Sequence, residues 1–221
     1  INVTGYADSH QEASRITGKA LMEVFKTVQA GIIENDFKNI LDRVFSEQGG
    51  NGLAFDHIVA SGPNSLILHY SGSNRVLKEG DMLLLDVGSK YNGYCADISR
   101  TVPVSGTFTN RQKEVYELVL EVQTQAALTM KPGKHSLSQM TQWAKNYFRN
   151  SPIRAKDENG VERTMDYFFI HSLCHYVGKE VHGGDTGWNN YKAITEGQIF
   201  TIEPGLYLNN ENFGIRIEDV Y

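Results

Sequence analysis

The sequence predicts a mixed α/β (α+β) domain built of two related halves. Helix-period and strand-period segments alternate in the order helix, helix, strands, helix, helix, strands. One stretch of sequence recurs: Glu79-Gly80-Asp81-Met82-Leu83-Leu84-Leu85-Asp86-Val87-Gly88 shares its layout with Glu196-Gly197-Gln198-Ile199-Phe200-Thr201-Ile202-Glu203-Pro204-Gly205. Both copies carry a carboxylate two residues before their closing glycine, and both are followed by a second strand that carries another. At 221 residues the chain can bury a full core, so we read a single domain with halves at about 1–104 and 105–221.

In the first half, Ile16, Ala20, Val24, Val28 and Ile32 recur every four residues and predict a helix from residue 8 to about residue 33. Gly31 and Glu34-Asn35-Asp36 punctuate its end. Phe37, Ile40, Leu41, Val44 and Phe45 mark a shorter helix that stops at Gln48-Gly49-Gly50. From 53 to 104, short apolar runs broken by Gly, Asn and Ser read as strands, the last two being 82–88 and 94–99. Asn92-Gly93 between them is a strong hairpin signal. His69-Tyr70 reads as the end of a strand run.

The second half repeats the rhythm. Thr109-x-x-Gln112 is a capping box, and Val115, Leu118, Val119 and Val122 carry that helix to Lys131-Pro132-Gly133, where proline stops it. Ser136-x-x-Gln139 opens the next helix, through Trp143 and Tyr147. Beyond about residue 166 the chain returns to strand-like segments and closes with 199–207 and 215–221.

Composition narrows the function. Twenty-six acidic against twenty-one basic residues leave a formal charge of -5, and no run of Lys or Arg could follow a phosphate backbone, so no nucleic-acid partner is expected. Apolar stretches such as 82–85 are far shorter than the roughly 20 residues that span a bilayer, so no membrane partner is expected either. Cys95 and Cys174 form no C-x-x-C pair and fit a reducing, cytoplasmic setting. The chain opens on Ile1 with no secretory leader, as an excerpt of a longer polypeptide would.

If Asn92-Gly93 makes a two-residue turn, Asp86 pairs with Ser99, and Asp97 shares that face as a diagonal neighbour of Asp86. The same construction sets Glu203 opposite Glu218 if the second hairpin turns within Asn209-Asn210-Glu211-Asn212. Carboxylates gathered this way would repel, and burial would raise their pKa values until some became neutral. A pair of divalent cations removes the conflict, and ions about 3.5 to 4 Å apart also lower the pKa of a shared water. His171 and His175, four apart, supply imidazoles on one face of a strand or a helix. His182 lies close by in sequence; His10, His57 and His135 read as structural or exposed.

These motifs resemble the pita-bread metallopeptidases, in particular the aminopeptidase P and prolidase branch. The resemblance covers nearly the whole chain and rests on Leu84-Leu85-Asp86-Val87-Gly88, 94–101, 171–178 with His182, 201–207 and Gly214-Ile215-Arg216-Ile217-Glu218-Asp219. It implies a pseudo-two-fold fold in which a curved antiparallel sheet, backed by helices, cups two metal ions. Asp86 would hold one ion and His175 the other, with Asp97, Glu203 and Glu218 completing or bridging the pair. Manganese is the expected ion, with cobalt, zinc or iron as alternatives. The substrate implied is a peptide with proline in second position. Glu203 resembles the proton shuttle, while His69, His171 and His182 resemble histidines that steady the developing oxyanion and shape the proline pocket; Arg216 resembles the arginine supporting that pocket.

The family usually places an acid after the histidine matching His182, whereas Gly183-Gly184-Asp185 follows here, so the local loop is expected to differ. The N-terminal domain of longer members is not in this stretch, and any homodimer is expected to form through regions outside it. The competing readings are a prolidase restricted to Xaa-Pro dipeptides, a methionine aminopeptidase, and a non-catalytic peptide-binding module of the same fold.

Overall fold

A computed structural model describes residues 3–221. Helix α1 (Val3–Phe25) is shorter at its end than its apolar stripe. The Thr27 amide turns back to the Val24 carbonyl, Gly31 takes φ +93°, and Ile33 bridges to Val76, which draws the chain into extended pairing. Val28 and Ile32 leave the helix yet pack on the same core, so their spacing records burial rather than helix. Helix α2 (Glu34–Glu47) then leads to strand β1 (Ile58–Ser61) and a 3-10 turn over Gly62–Leu66.

The first hairpin comprises β2 (Met82–Val87), β3 (Lys90–Tyr91), β4 (Tyr94–Cys95) and β5 (Ile98–Pro103). One register runs through it, with Asp86 opposite Ser99 and Lys90 opposite Cys95. Asn92 and Gly93 both adopt positive φ, 49° and 80°, the turn that suits the strands' twist. Helices α3 (Asn110–Thr129) and α4 (Leu137–Asn150) each start with a complete capping box, on Thr109 and Ser136. A small hairpin of β6 (Arg154–Lys156) and β7 (Glu162–Thr164) follows.

The closing hairpin contains β8 (Thr201–Ile202), β9 (Gly205–Leu208), β10 (Phe213–Arg216) and β11 (Asp219–Val220). Its register is also continuous: Arg216 pairs with Gly205 and Asp219 with Ile202, so Glu203 and Glu218 face each other between them. Sheet β1-β2-β5 joins this hairpin where Ser99 and Glu218 exchange backbone hydrogen bonds of 3.2 and 3.1 Å. On the far edge, residues 173–177 pair with 199–203 through Glu203 N to Leu173 O at 2.7 Å and Thr201 N to His175 O at 2.8 Å. An antiparallel array therefore crosses the molecule.

Strand alternation sorts its two faces. Leu83, Leu85, Val87 and Ile98 join Ile16 and Leu41 in the core beneath α1 and α2. Leu206, Leu208, Ile215 and Ile217 join Val119 and Phe148 beneath α3 and α4. Leu84 and Tyr207 point away from the helices, with Ile58 and Ala60. Asp86 shares the parity of Leu84, and Glu203 that of Tyr207, so the carboxylates arrive on the face the helices leave uncovered.

Candidate metal centre

That face holds a cavity of about 200 Å³ lined by Asp86, Asp97, His175, Glu203 and Glu218 together with His69, His171, His182 and Arg216. Phe55, Ile58, Leu68 and Val181 supply apolar wall. The site residues read from the sequence thus converge on one place. Three of the carboxylates sit where the ladders break: Asp97 between β4 and β5, Glu203 between β8 and β9, Glu218 between β10 and β11. Pro204, lacking an amide hydrogen, makes one of those breaks unavoidable.

His175 is fixed by its backbone surroundings. Its Nδ1–H donates to the Tyr176 carbonyl at 3.0 Å, which turns Nε2 toward Asp97 Oδ2 (3.3 Å), Glu203 Oε1 (3.4 Å) and Glu218 Oε1 (3.6 Å). A hydrogen bond of this kind selects the tautomer of a metal-binding histidine. Asp97, His175 and Glu218 each offer a ligand atom within 4.8 Å of the others.

The electrostatics state the same problem. Burial, then the negative charges of Glu218 and Asp86, pushes Asp97 well above the usual carboxylate range. Glu203 is driven up by burial and by Glu218, and Asp86 rises because burial outweighs the nearby Arg216. His175 is raised as well, which in its case keeps it charged: burial opposes its charge, but Asp97, Glu218 and Glu203 hold it up to about 12. Glu218, despite burial, lies below its ordinary value because His175, Arg216 and Ser99 favour its charged form. The cluster calls for positive charge, and the imidazolium supplies only one unit.

Among the described residues, Asp86 Oδ1, Asp97 Oδ1 and Glu218 Oε1 are buried without a hydrogen-bond partner. An orphaned carboxylate oxygen costs several kcal/mol unless something satisfies it. Oxygen donors with one oriented imidazole nitrogen form a ligand set that fits divalent ions.

Arg216, 3% exposed, braces the cluster from behind. Its Nη2 donates to Asp86 Oδ2 at 2.9 Å, Nε to Ser99 Oγ at 3.2 Å and Nη1 to Tyr207 Oη at 2.8 Å. Ser99 passes its proton on to Glu218 Oε2 at 2.8 Å, and Tyr207 donates to His171 Nε2 at 2.8 Å. His171 Nδ1–H is spent on the Ser172 carbonyl at 2.9 Å, so this ring is neutral with both nitrogens engaged. Sequence reasoning assigned no role to Ser99 and Tyr207; the available signals were the pairing of Ser99 with Asp86 and a tyrosine in a buried strand, whose hydroxyl needs a partner.

The remaining histidines come from loops. The His182 ring meets that of His175 edge-on, with centroids 4.9 Å apart. Its loop is stapled by Asp185, which accepts from the amides of Lys179 (3.0 Å) and Glu180 (3.1 Å), while Gly183 takes φ +61° against the Tyr176 backbone. This is the physical content of Gly183-Gly184-Asp185. His69 is not at a strand end: β1 stops at Ser61, where Gly62 turns to φ +53° and Pro63 cannot donate.

The profile of metallopeptidase family M24 matches residues 8–221. Among curated proteins, the chain is 31% identical over 224 residues to Xaa-Pro aminopeptidase of Escherichia coli, covering 95% of this chain and 51% of that protein. It is 32% identical over 216 residues to Xaa-Pro dipeptidase of Pyrococcus furiosus, covering 95% and 56%. The crystal structure of X-Pro aminopeptidase from Thermotoga maritima superposes with a TM-score of 0.84 at 35% identity, over 98% of this chain and 58% of that one. The chain therefore spans about half the length of the curated relatives it matches, and its fold is the pita-bread arrangement they share.

Proposed function

The chain belongs to metallopeptidase family M24, and from that premise we propose that its site removes an N-terminal residue standing before proline. The observation that carries the proposal is the convergence of Asp86, Asp97, Glu203 and Glu218 with His175 Nε2, leaving buried carboxylate oxygens unsatisfied. In this reading those five residues hold two divalent ions, manganese first and cobalt, zinc or iron as alternatives. Such a pair supplies Lewis acidity, polarising a carbonyl and making water nucleophilic near neutral pH.

The chain's own groups do the rest. Glu203, at the cavity wall, takes a proton from the attacking water and returns it to the departing proline nitrogen. His182 and His69, which line the same cavity, are assigned in this reading to hydrogen bonds with the developing oxyanion. His171, its nitrogens already committed, offers a ring wall to the substrate and transmits the position of Arg216 through Tyr207. Arg216 favours the charged form of Asp86 that a cation needs, through its 2.9 Å hydrogen bond to Oδ2. We further read 1–104 and 105–221 as duplicated halves, since each gives a hairpin of continuous register with a carboxylate on either strand. The buried free thiols of Cys95 and Cys174 support a reducing, cytoplasmic location.

The test is digestion of matched peptides, with and without proline in second position, in chelator and after adding back single metals. Release of the first residue only from Xaa-Pro-Xaa peptides, and only with metal, is the expected result. Cleavage of Xaa-Pro dipeptides but not tripeptides would select the dipeptidase reading, which similarity to the Pyrococcus protein favours. Release of methionine irrespective of proline would select a methionine aminopeptidase, and a purified protein indifferent to metal would select a binding module.

A further inference from the structure

His69 reaches the cavity from an irregular loop, and among the described residues its ring takes part in no hydrogen bond. Its position is therefore set by whatever holds the loop. Glu34, the first residue of α2, does so with a side chain that is 0% exposed. Its Oε1 accepts from the Ser61 amide (2.8 Å), Ser61 Oγ (2.7 Å) and Asn64 Nδ2 (3.1 Å). Its Oε2 accepts from Tyr70 Oη (2.7 Å) and the Arg75 amide (3.4 Å). These donors lie on both sides of His69, so one carboxylate ties the two stems of its loop together. Arg75 closes the ring by donating from Nη1 to Ser61 Oγ at 2.8 Å.

Helix formation does not require this arrangement: an exposed glutamate in the first turn would serve the macrodipole as well. Stability alone does not explain it either, because a packed apolar side chain commonly matches a buried charge in that respect. What a fully bonded carboxylate adds is a unique loop geometry. Tyr70 is the link nearest the chemistry, being the neighbour of His69, and its ring folds back so that a Cβ at Gly72 would lie 2.5 Å from Oη. Burial and the bond to Glu34 hold its hydroxyl up to about 12, so it stays a donor.

We propose that Glu34, acting through Tyr70, is a positioning residue that sets the His69 imidazole against the substrate; this rests on the reading of His69 given above. The decisive experiment is a double-mutant cycle in the full chain. Tyr70→Phe is expected to lower kcat/KM on an Xaa-Pro-Xaa peptide about tenfold in the native background and by less than about twofold when His69→Ala is present, because nothing is then left to position. Glu34→Gln, which keeps one acceptor oxygen but turns an amide toward the Arg75 amide, is expected to show the same dependence with a larger loss. Equal losses in both backgrounds would overturn the proposal, as a general structural defect predicts. A readout independent of turnover is the His69 imidazole resonance, assigned by its disappearance in His69→Ala. It should shift or split in Tyr70→Phe while that of His135 stays in place, and an unmoved His69 signal overturns the proposal. If the native protein leaves proline peptides intact, or His69→Ala is as fast as the native protein, the reading of the site fails, whereas the resonance still decides the positioning.

Discussion

Asp97 illustrates how much a single atom decides at the candidate metal centre. One oxygen faces His175 and the other has no partner among the described residues, so an amide there would present an N–H where the cluster needs an acceptor. Asp97→Asn is expected to abolish hydrolysis of an Xaa-Pro-Xaa peptide and to lower bound metal, read by elemental analysis. His182 touches the cluster only through ring packing on His175, so His182→Ala is expected to keep metal content near native while slowing turnover. An emptied site in that variant would overturn the ligand assignment. His171 gives a pH signature. Burial first, and then Arg216, lowers it to about 4, so between its unfolded value near 6.5 and about 4 the unfolded chain binds a proton that the folded chain refuses. Stability is thus present above that window and is lost as pH falls through it, by at most about 3 kcal/mol, and less because solvent reaches part of the ring. Urea unfolding at pH 7 and pH 4.5 should show a steeper acid loss for the native protein than for His171→Gln.

The hairpins show why local sequence located the carboxylates. Asn92-Gly93 centres the first turn, and counting outward from it reaches the Asp86 to Ser99 pair that forms. Gly88 tests that register, since an added Cβ would lie 2.0 Å from the Ala96 carbonyl oxygen, next to Asp97. Gly88→Ala is expected to cost several kcal/mol in thermal unfolding and to weaken metal binding, because the backbone of both strands must shift. Gly93→Ala, strained at φ +80° but with open space around its Cβ, should cost only about 1 kcal/mol and leave metal affinity unchanged. Other elements were less legible. The stripe through Val28 and Ile32 extended the first helix past Phe25 because burial on one core imitates helical spacing. The β6–β7 hairpin, with Asn159-Gly160 in its turn, escaped the pattern because its strands are mostly exposed and carry little apolar alternation.

At the scale of the molecule, the site exists because two hairpins meet along one seam. Thr101 Oγ1 bonds both the amide and the carbonyl of Arg216, each at 3.1 Å, beside the Ser99 to Glu218 bridge. Thr101→Val would leave both groups buried and unpaired, an expected loss of about 1–3 kcal/mol in denaturant unfolding with an unchanged m-value. The repeated layout carrying Asp86 and Glu203, the turn at Asn92-Gly93, the capping boxes at Thr109 and Ser136 and the resemblance to a peptidase family were all available from the sequence, because each depends on neighbours along the chain or on a recurring motif. The brace from Arg216 through Tyr207 to His171, the burial of Glu34 beneath the His69 loop and the unsatisfied oxygens of Asp86, Asp97 and Glu218 were decided by tertiary structure alone. They join residues from nine to more than a hundred positions apart, and whether a buried polar atom finds a partner depends on how separate segments pack, which no local pattern encodes.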